Sequence, residues 1–257
     1  MRIEPFSVGD YVHVYNRGNR KQDIVINEKD MWRFMQVLRF FNDIHSSQNS
    51  LRNILQEQEK IRKLSVSDTD SMGSLLKVPE SVFQVGWPKD WPEKDPLVKI
   101  LCYCLMPNHF HLLLQEIREG GISKFMQKLG IGYTNYFNLK HKETGKLFQG
   151  AYKGRTVKEN QFYLEYLSVY IQVKNVLELF PGGLEEALKD VDKAFEFAEV
   201  YKFSSFPDFV GKRKSLIIEK DILGDIFPTP EDYRKFAKEI IESKKYNILE
   251  ELKIDEK

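Results

Sequence analysis

Cys104-Leu105-Met106-Pro107-Asn108-His109-Phe110-His111-Leu112-Leu113-Leu114-Gln115 joins an apolar run, a Pro-Asn turn signal and a strict alternation. After the turn, His109, His111, Leu113 and Gln115 fall on one side of a strand, and Phe110, Leu112 and Leu114 on the other. The two imidazoles point the same way, about 7 Å apart along the strand by pleat geometry. Neutral imidazoles bind divalent metals, so the pair suits two ligands of one ion. The opposite side is apolar throughout, which makes this a central strand and the histidine side a rigid platform. Val98 to Leu105 predicts the preceding strand. The two-residue Pro107-Asn108 connection predicts an antiparallel hairpin or an abrupt bend.

Working outward, Tyr11-Val12-His13-Val14-Tyr15 alternates as another strand, broken by the polar, basic loop Asn16-Arg17-Gly18-Asn19-Arg20. His13 shares a side with Tyr11 and Tyr15 and reads as a core or sheet histidine rather than a third ligand. Asn27 caps a helix, with Asp30 three residues on and Met31, Phe34, Met35, Leu38 and Phe41 at helical spacing to about Ile44. Residues 46–95 read as an insertion with a modest amphipathic helix over Leu51 to Leu64. After Gly120-Gly121, Ser123 is the expected N-cap of a helix carrying Phe125, Met126, Leu129, Tyr133, Tyr136 and Phe137. Gly130 and Gly132 weaken that helix by roughly 1 kcal/mol each relative to Ala and mark a close approach of backbone or of nucleic acid. A further helix from about Glu159 to Leu179 holds Tyr163, Tyr166 and Tyr170, of which the first two read as core packing. Tyr170 and Lys174, four apart, share a side. Beyond Gly182-Gly183 an acidic amphipathic helix runs from Leu184 to Ala198, and Asp221–Phe227 and Tyr233–Ile241 read as two more.

At 257 residues, 42% hydrophobic and 30% charged, the chain has the composition of a soluble globular protein. No run approaches a membrane helix. Met1-Arg2-Ile3-Glu4-Pro5 lacks the apolar core of a signal peptide. Cys102 and Cys104 are too close on one strand for an unstrained disulfide, and they are read as reduced core thiols in a cytoplasmic protein. The net charge is +1, but it is segregated. Between 124 and 158 eight lysines and arginines face a single glutamate, whereas between 178 and 199 seven acids face two lysines. Such segregation suits a local phosphate-binding surface or an ordinary solvated one.

Met106-Pro107-Asn108-His109-Phe110-His111-Leu112-Leu113 resembles the His-hydrophobic-His motif of HUH single-tyrosine transposases, closest to the REP-associated branch within the IS200-like group. The strand ending in Asn16-Arg17-Gly18 resembles that family's opening. Leu147-Phe148-Gln149-Gly150-Ala151-Tyr152-Lys153 resembles its next strand, which pairs beside the histidine strand. Tyr201-Lys202-Phe203-Ser204-Ser205-Phe206 resembles its aromatic–Ser-Ser–aromatic segment. The resemblance covers roughly 8–45 and 97–240. It implies an α+β fold: an antiparallel sheet with helices mainly on one face (a ferredoxin-like HUH core) plus a helical C-terminal extension. The catalytic domain is placed at 8–180 and the extension at 181–257.

By the same resemblance, His109 and His111 hold Mg²⁺ or Mn²⁺, and Tyr170, in Tyr170-Ile171-Gln172-Val173-Lys174-Asn175-Val176, is the nucleophile. The family places Asn or Gln four residues after that tyrosine to complete the metal site. Here Lys174 stands there, and an ammonium has no lone pair to offer. Lys174 contacts the scissile phosphate, stabilises a tyrosinate, or marks lost catalysis; Asn175 is turned about 100° away on an ideal helix. The implied partner is single-stranded DNA with REP-like hairpins, held by Arg17, Arg20, Lys21, Lys124, Lys128, Lys140, Lys142, Lys153 and Arg155, in a monomer or homodimer. The implied reaction is cleavage and rejoining through a 5′-phosphotyrosine. The rivals are a relative that grips hairpins without cutting, favoured by Lys174, and a water-activated phosphoesterase, disfavoured by the scarcity of carboxylates near the histidines.

Overall fold

Alternation along the strands sets the architecture. The structure, a computed structural model, describes residues 6–46, 87, 91–157 and 161–245. Strands β1 (Tyr11–Arg17), β2 (Val98–Leu105), β3 (His109–Glu116) and β4 (Lys153–Thr156) form an antiparallel sheet in the order β2-β3-β1-β4. Pro107-Asn108 closes the β2–β3 hairpin, with Met106 N donating to His109 O at 2.8 Å. With α1 (Glu28–Phe40) and α2 (Gly121–His141), the chain order is βαββαβ, the ferredoxin-like arrangement. Two expectations change here. β1 continues to Arg17, because Arg17 pairs opposite His109 and Gly18 N donates to Asn108 O. The strand after the basic loop begins at Lys153 and pairs with β1, not with the histidine strand, whose two edges are already taken by β2 and β1.

The two core helices share one face, where Val12, Val14, Phe110, Leu112 and Leu114 meet Phe34, Leu38, Phe125 and Leu129. Asn27 and Asp30 form a reciprocal capping box at the start of α1. The second helix starts before Ser123. Gly120 adopts a left-handed φ of +68°, Glu116 Oε2 accepts from Ile122 N at 2.8 Å, and the Ser123 hydroxyl meets Tyr152 Oη instead. Gly132 marks a close approach, but of an aromatic ring: a Cβ there would lie 2.0 Å from Phe41 Cε2.

The other face carries the tyrosine helix α3, which runs as Gln161–Val169, widens into a π-helical turn over Tyr170–Lys174, and resumes as Asn175–Leu177. It packs with α5 (Val191–Val200), α6 (Phe206–Phe209) and α8 (Pro230–Glu242) in a second core that includes Leu113, Leu167, Val173, Phe195, Phe206 and Tyr233. The acidic helix expected over 184–198 is two: α4 (Gly183–Ala187) and α5, the latter capped by the Asp190 carboxylate on Lys193 N. α7 (Ile222–Ile226) completes this side. The helix expected over 51–64 lies outside the described residues. Both cysteines are buried, unpaired thiols whose ionisation burial disfavours. No helix among the described residues is long and apolar enough to cross a membrane.

Candidate active site

The β1–β3 register decides what surrounds the histidines. Tyr15 pairs opposite His111, Arg17 opposite His109, and Cys104 of β2 flanks His111 on its other side. On the same sheet face β4 brings Lys153 beside Tyr15 and Arg155 beside His13. Tyr170 crosses this face from above. Its ring centroid lies 5.6 Å from that of His111, edge-on at 89°, and 6.3 Å from that of His13. His109 and His111 have ring centroids 5.0 Å apart. His111 is wholly buried, whereas His109 sits half-buried at the Asn108 end, where solvent reaches the site.

His13 is more than a sheet histidine. Its Nε2 lies 2.9 Å from His111 Nδ1, a contact that β-strand alternation on β1 alone could not reveal. Burial first, with Arg155 adding to it, pushes the His13 imidazole down to about 3. Burial, then His109, His13 and Lys174, holds His111 well below the ordinary histidine range. Both rings are therefore neutral at neutral pH, the state in which imidazole offers a lone pair.

The donor set fits a divalent ion at two positions. Asn108 Oδ1, an acceptor, lies 2.6 Å from His109 Nδ1, so that nitrogen carries the proton and the lone pair is on Nε2. His111 Nε2 is buried with no hydrogen-bond partner. If His111 donates Nδ1–H to His13 Nε2, the His111 Nε2 lone pair is left for a cation, which is how metal-bound histidines are usually oriented. His13 faces His111 through Nε2, so it supports rather than ligates. Among the described residues no three His, Cys, Asp or Glu side chains converge as a ligand set.

The π turn alters the tyrosine helix in a way an ideal α-helix does not suggest. Asn175 N bonds Tyr170 O, so the residue five on, not four, stacks over Tyr170. The Asn175 amide donates to Ile171 O at 3.4 Å. Lys174 Nζ stands 5.1 Å from the Tyr170 ring centroid and ion-pairs with Glu178 one turn on. Tyr166 packs against Phe236, as core.

The nine expected DNA-contacting residues separate into groups. Arg17, Lys153 and Arg155 border the histidine face. Arg20 and Lys21 are exposed in the turn after β1, and Lys124 and Lys142 are exposed at the two ends of α2. The other two are held by partners within the protein. Lys128 Nζ is bound to the carbonyls of Asp43, Ile44 and Ser46, closing the chain after α1. Lys140 is paired with the buried carboxylate of Asp30, alongside Tyr136 and His141. Residue type and local charge could not separate a surface lysine from one recruited by a loop or acid distant in sequence. The residues that sequence reasoning missed are Asn108 and His13 as ring-orienting partners; Asn108 was legible as the neighbour of His109, His13 only once β1 lies beside β3.

Residues 93–174, which hold β2, β3, α2, β4 and the tyrosine turn, match the family model described as "Transposase IS200 like". The matched family is one of transposases. Among solved structures, a REP-associated tyrosine transposase bound to a REP hairpin is 12% identical, with a TM-score of 0.41, over 85% of this chain and 89% of that one. No curated protein sequence matches the chain.

Proposed function

We propose that this protein is a DNA strand transferase that cuts and rejoins single-stranded, hairpin-bearing DNA, with Tyr170 as nucleophile and Mg²⁺ or Mn²⁺ held by Nε2 of His109 and His111. The observation that carries the reading is Tyr170 poised edge-on over His111 at 5.6 Å, on the sheet face where His111 Nε2 is buried without a hydrogen-bond partner. When bound, such an ion polarises a non-bridging phosphate oxygen. Tyr170 Oη attacks phosphorus: the Oη–P bond forms, the P–O3′ bond breaks, and the 3′-oxygen leaves as a hydroxyl after taking a proton. The result is a 5′-phosphotyrosine whose bond energy permits rejoining. Lys174, over the phenol ring, favours the anionic oxygen by charge as the Oη proton departs to solvent. Arg17, Lys153 and Arg155 line the approach for phosphates.

A second reading has two observations behind it. Lys174 and the lack of a third His, Cys, Asp or Glu ligand among the described residues suit a hairpin-binding relative that no longer cuts. Incubation with a hairpin-bearing single strand and Mn²⁺ separates the two. The proposed enzyme forms a covalent adduct that survives denaturing electrophoresis. Tyr170→Phe abolishes it and keeps DNA affinity, because affinity rests on phosphate contacts. Salt-sensitive binding without any adduct on a range of hairpins overturns the enzyme in favour of the binding module. An adduct that persists in Tyr170→Phe moves the nucleophile elsewhere.

A further inference from the structure

The Phe203-Ser204-Ser205-Phe206 segment lies far from both Tyr170 and His111 in sequence, yet the fold ties it to each. Leu105 N donates to Phe203 O at 2.9 Å and Ser205 N to Tyr103 O at 3.0 Å, so the segment lies along the edge of β2. Ser204 bridges Cys104, and Cys104 pairs opposite His111. Tyr15, His111, Cys104 and Ser204 thus form one row across the sheet. Arg213 clamps the segment, donating to Lys202 O, Ser204 O, Tyr103 Oη and the Asp208 carboxylate.

Above this row sits Gln172, in the middle of the π turn and fully buried. Its backbone carbonyl accepts from Ser204 Oγ at 2.9 Å, and its Oε1 accepts from Ser205 Oγ at 2.8 Å. Its Nε2 donates to Tyr233 Oη of α8 at 2.7 Å. Ser205 Oγ, having given its proton to Gln172, accepts from Tyr103 N at 2.9 Å. A π turn accommodates one extra residue, and the backbone groups it displaces need partners from outside the helix. Closing it to an α turn would rotate the part of the helix bearing Tyr170 by about 100° relative to the part beyond.

We propose that Ser204 and Ser205, acting through Gln172, form a clasp that holds the π turn open and so aims Tyr170 at His111. They are positioning residues for the reaction proposed above. The clasp joins the strand row that carries His111 to the helix that carries Tyr170, so one element sets their mutual distance. Tyr233 is its third anchor, through which the C-terminal extension shares in holding the nucleophile.

The test compares the full-length wild type with Ser204→Ala/Ser205→Ala, Ser205→Thr and Tyr233→Phe. Hydrogen exchange of amides 171–175 and the nuclear Overhauser signal between the Tyr170 and His111 rings report the turn without requiring activity. Single-turnover adduct formation and DNA affinity are read in parallel. The double alanine variant is expected to exchange these amides at least tenfold faster, to show no ring-to-ring signal, and to form adduct at least tenfold more slowly at unchanged DNA affinity. Ser205→Thr keeps a hydroxyl and restores all three. If the double variant does not fold, Tyr233→Phe, which removes one oxygen from the other end of the network, is expected to show the same pattern more weakly. Retention of the ring-to-ring signal and of amide protection overturns the clasp, as does acceleration spread evenly over α3, β2 and β3. A wild type that forms no adduct yet gives the ring-to-ring signal, with the variant giving none, overturns the strand-transfer reading and leaves the clasp standing.

Discussion

The two faces of the sheet are built from the same strands and do opposite work. On one, Val12, Val14, Phe110, Leu112 and Leu114 meet α1 and α2 in a core without histidine. On the other, one residue along in each strand, His13 and His111 are buried beside Tyr15 and Tyr170, with polar atoms left unpartnered at His13 Nδ1 and His111 Nε2. The first face gains from every atom it removes from water. The second keeps buried polar groups that a hydrophobic replacement would relieve. The difference teaches where stability and chemistry have been separated: adjacent residues on one strand, such as His111 and Leu112, serve different ends.

Paired substitutions break that comparison most directly. Leu112→Ala is expected to cost about 2–5 kcal/mol, for reduced burial and the cavity left behind. His13→Phe/His111→Leu, which removes both members of the buried imidazole pair and leaves neither nitrogen stranded, is expected to be neutral or stabilising while abolishing Mn²⁺ binding. Urea unfolding and calorimetry check both, and a double variant as unstable as Leu112→Ala would show that the histidine face is an ordinary core.

Next in size is the pH dependence. His13 has its pKa lowered to about 3 in the fold, and His111 is also lowered, so both are neutral there and take up protons on unfolding as pH falls below the ordinary histidine value. No stability is lost to either above about pH 6.5; below it stability falls as pH falls, for His13 down toward 3 and at a limiting slope of about 1.4 kcal/mol per pH unit per proton taken up on unfolding, with His111 contributing in the same direction. Unfolding free energies measured between pH 7 and 5 should therefore fall steeply, and His13→Phe/His111→Leu should flatten the slope. An unchanged slope in the double variant would assign the loss to other groups.

The smallest effect separates the lysines. Lys153→Ala/Arg155→Ala, at the rim of the histidine face, should lower the salt dependence of single-strand binding by about 0.7 in log–log slope for each phosphate no longer neutralised. Lys128→Ala should leave that slope alone and cost about 1 kcal/mol of stability, since its ammonium serves backbone carbonyls. Equal slopes for the two variants would erase the distinction between binding and structural cations.

Some of this was settled by the chain read alone. The alternation of β2 and β3, the Pro107-Asn108 hairpin, the Asn27 cap and the common side of His109 and His111 follow from local rules: side-chain period, turn chemistry and capping need no distant partner. The order strand, helix, strand, strand, helix also follows from local signals, whereas the last strand is expected only from the family resemblance, over 147–153, and lies at Lys153–Thr156. Tertiary structure alone decided what those residues meet. His13 became the partner of His111 when β1 lay against β3. Lys128 and Lys140 turned toward Asp43–Ser46 and Asp30. The π turn at Tyr170–Lys174 replaced an ideal helix because Ser204, Ser205 and Tyr233 supply Gln172 with hydrogen bonds from residues more than thirty positions away. Sequence carries the period of a strand or helix within a few residues. A buried polar group is satisfied by whatever the fold brings to it, and that is set by packing across the whole chain.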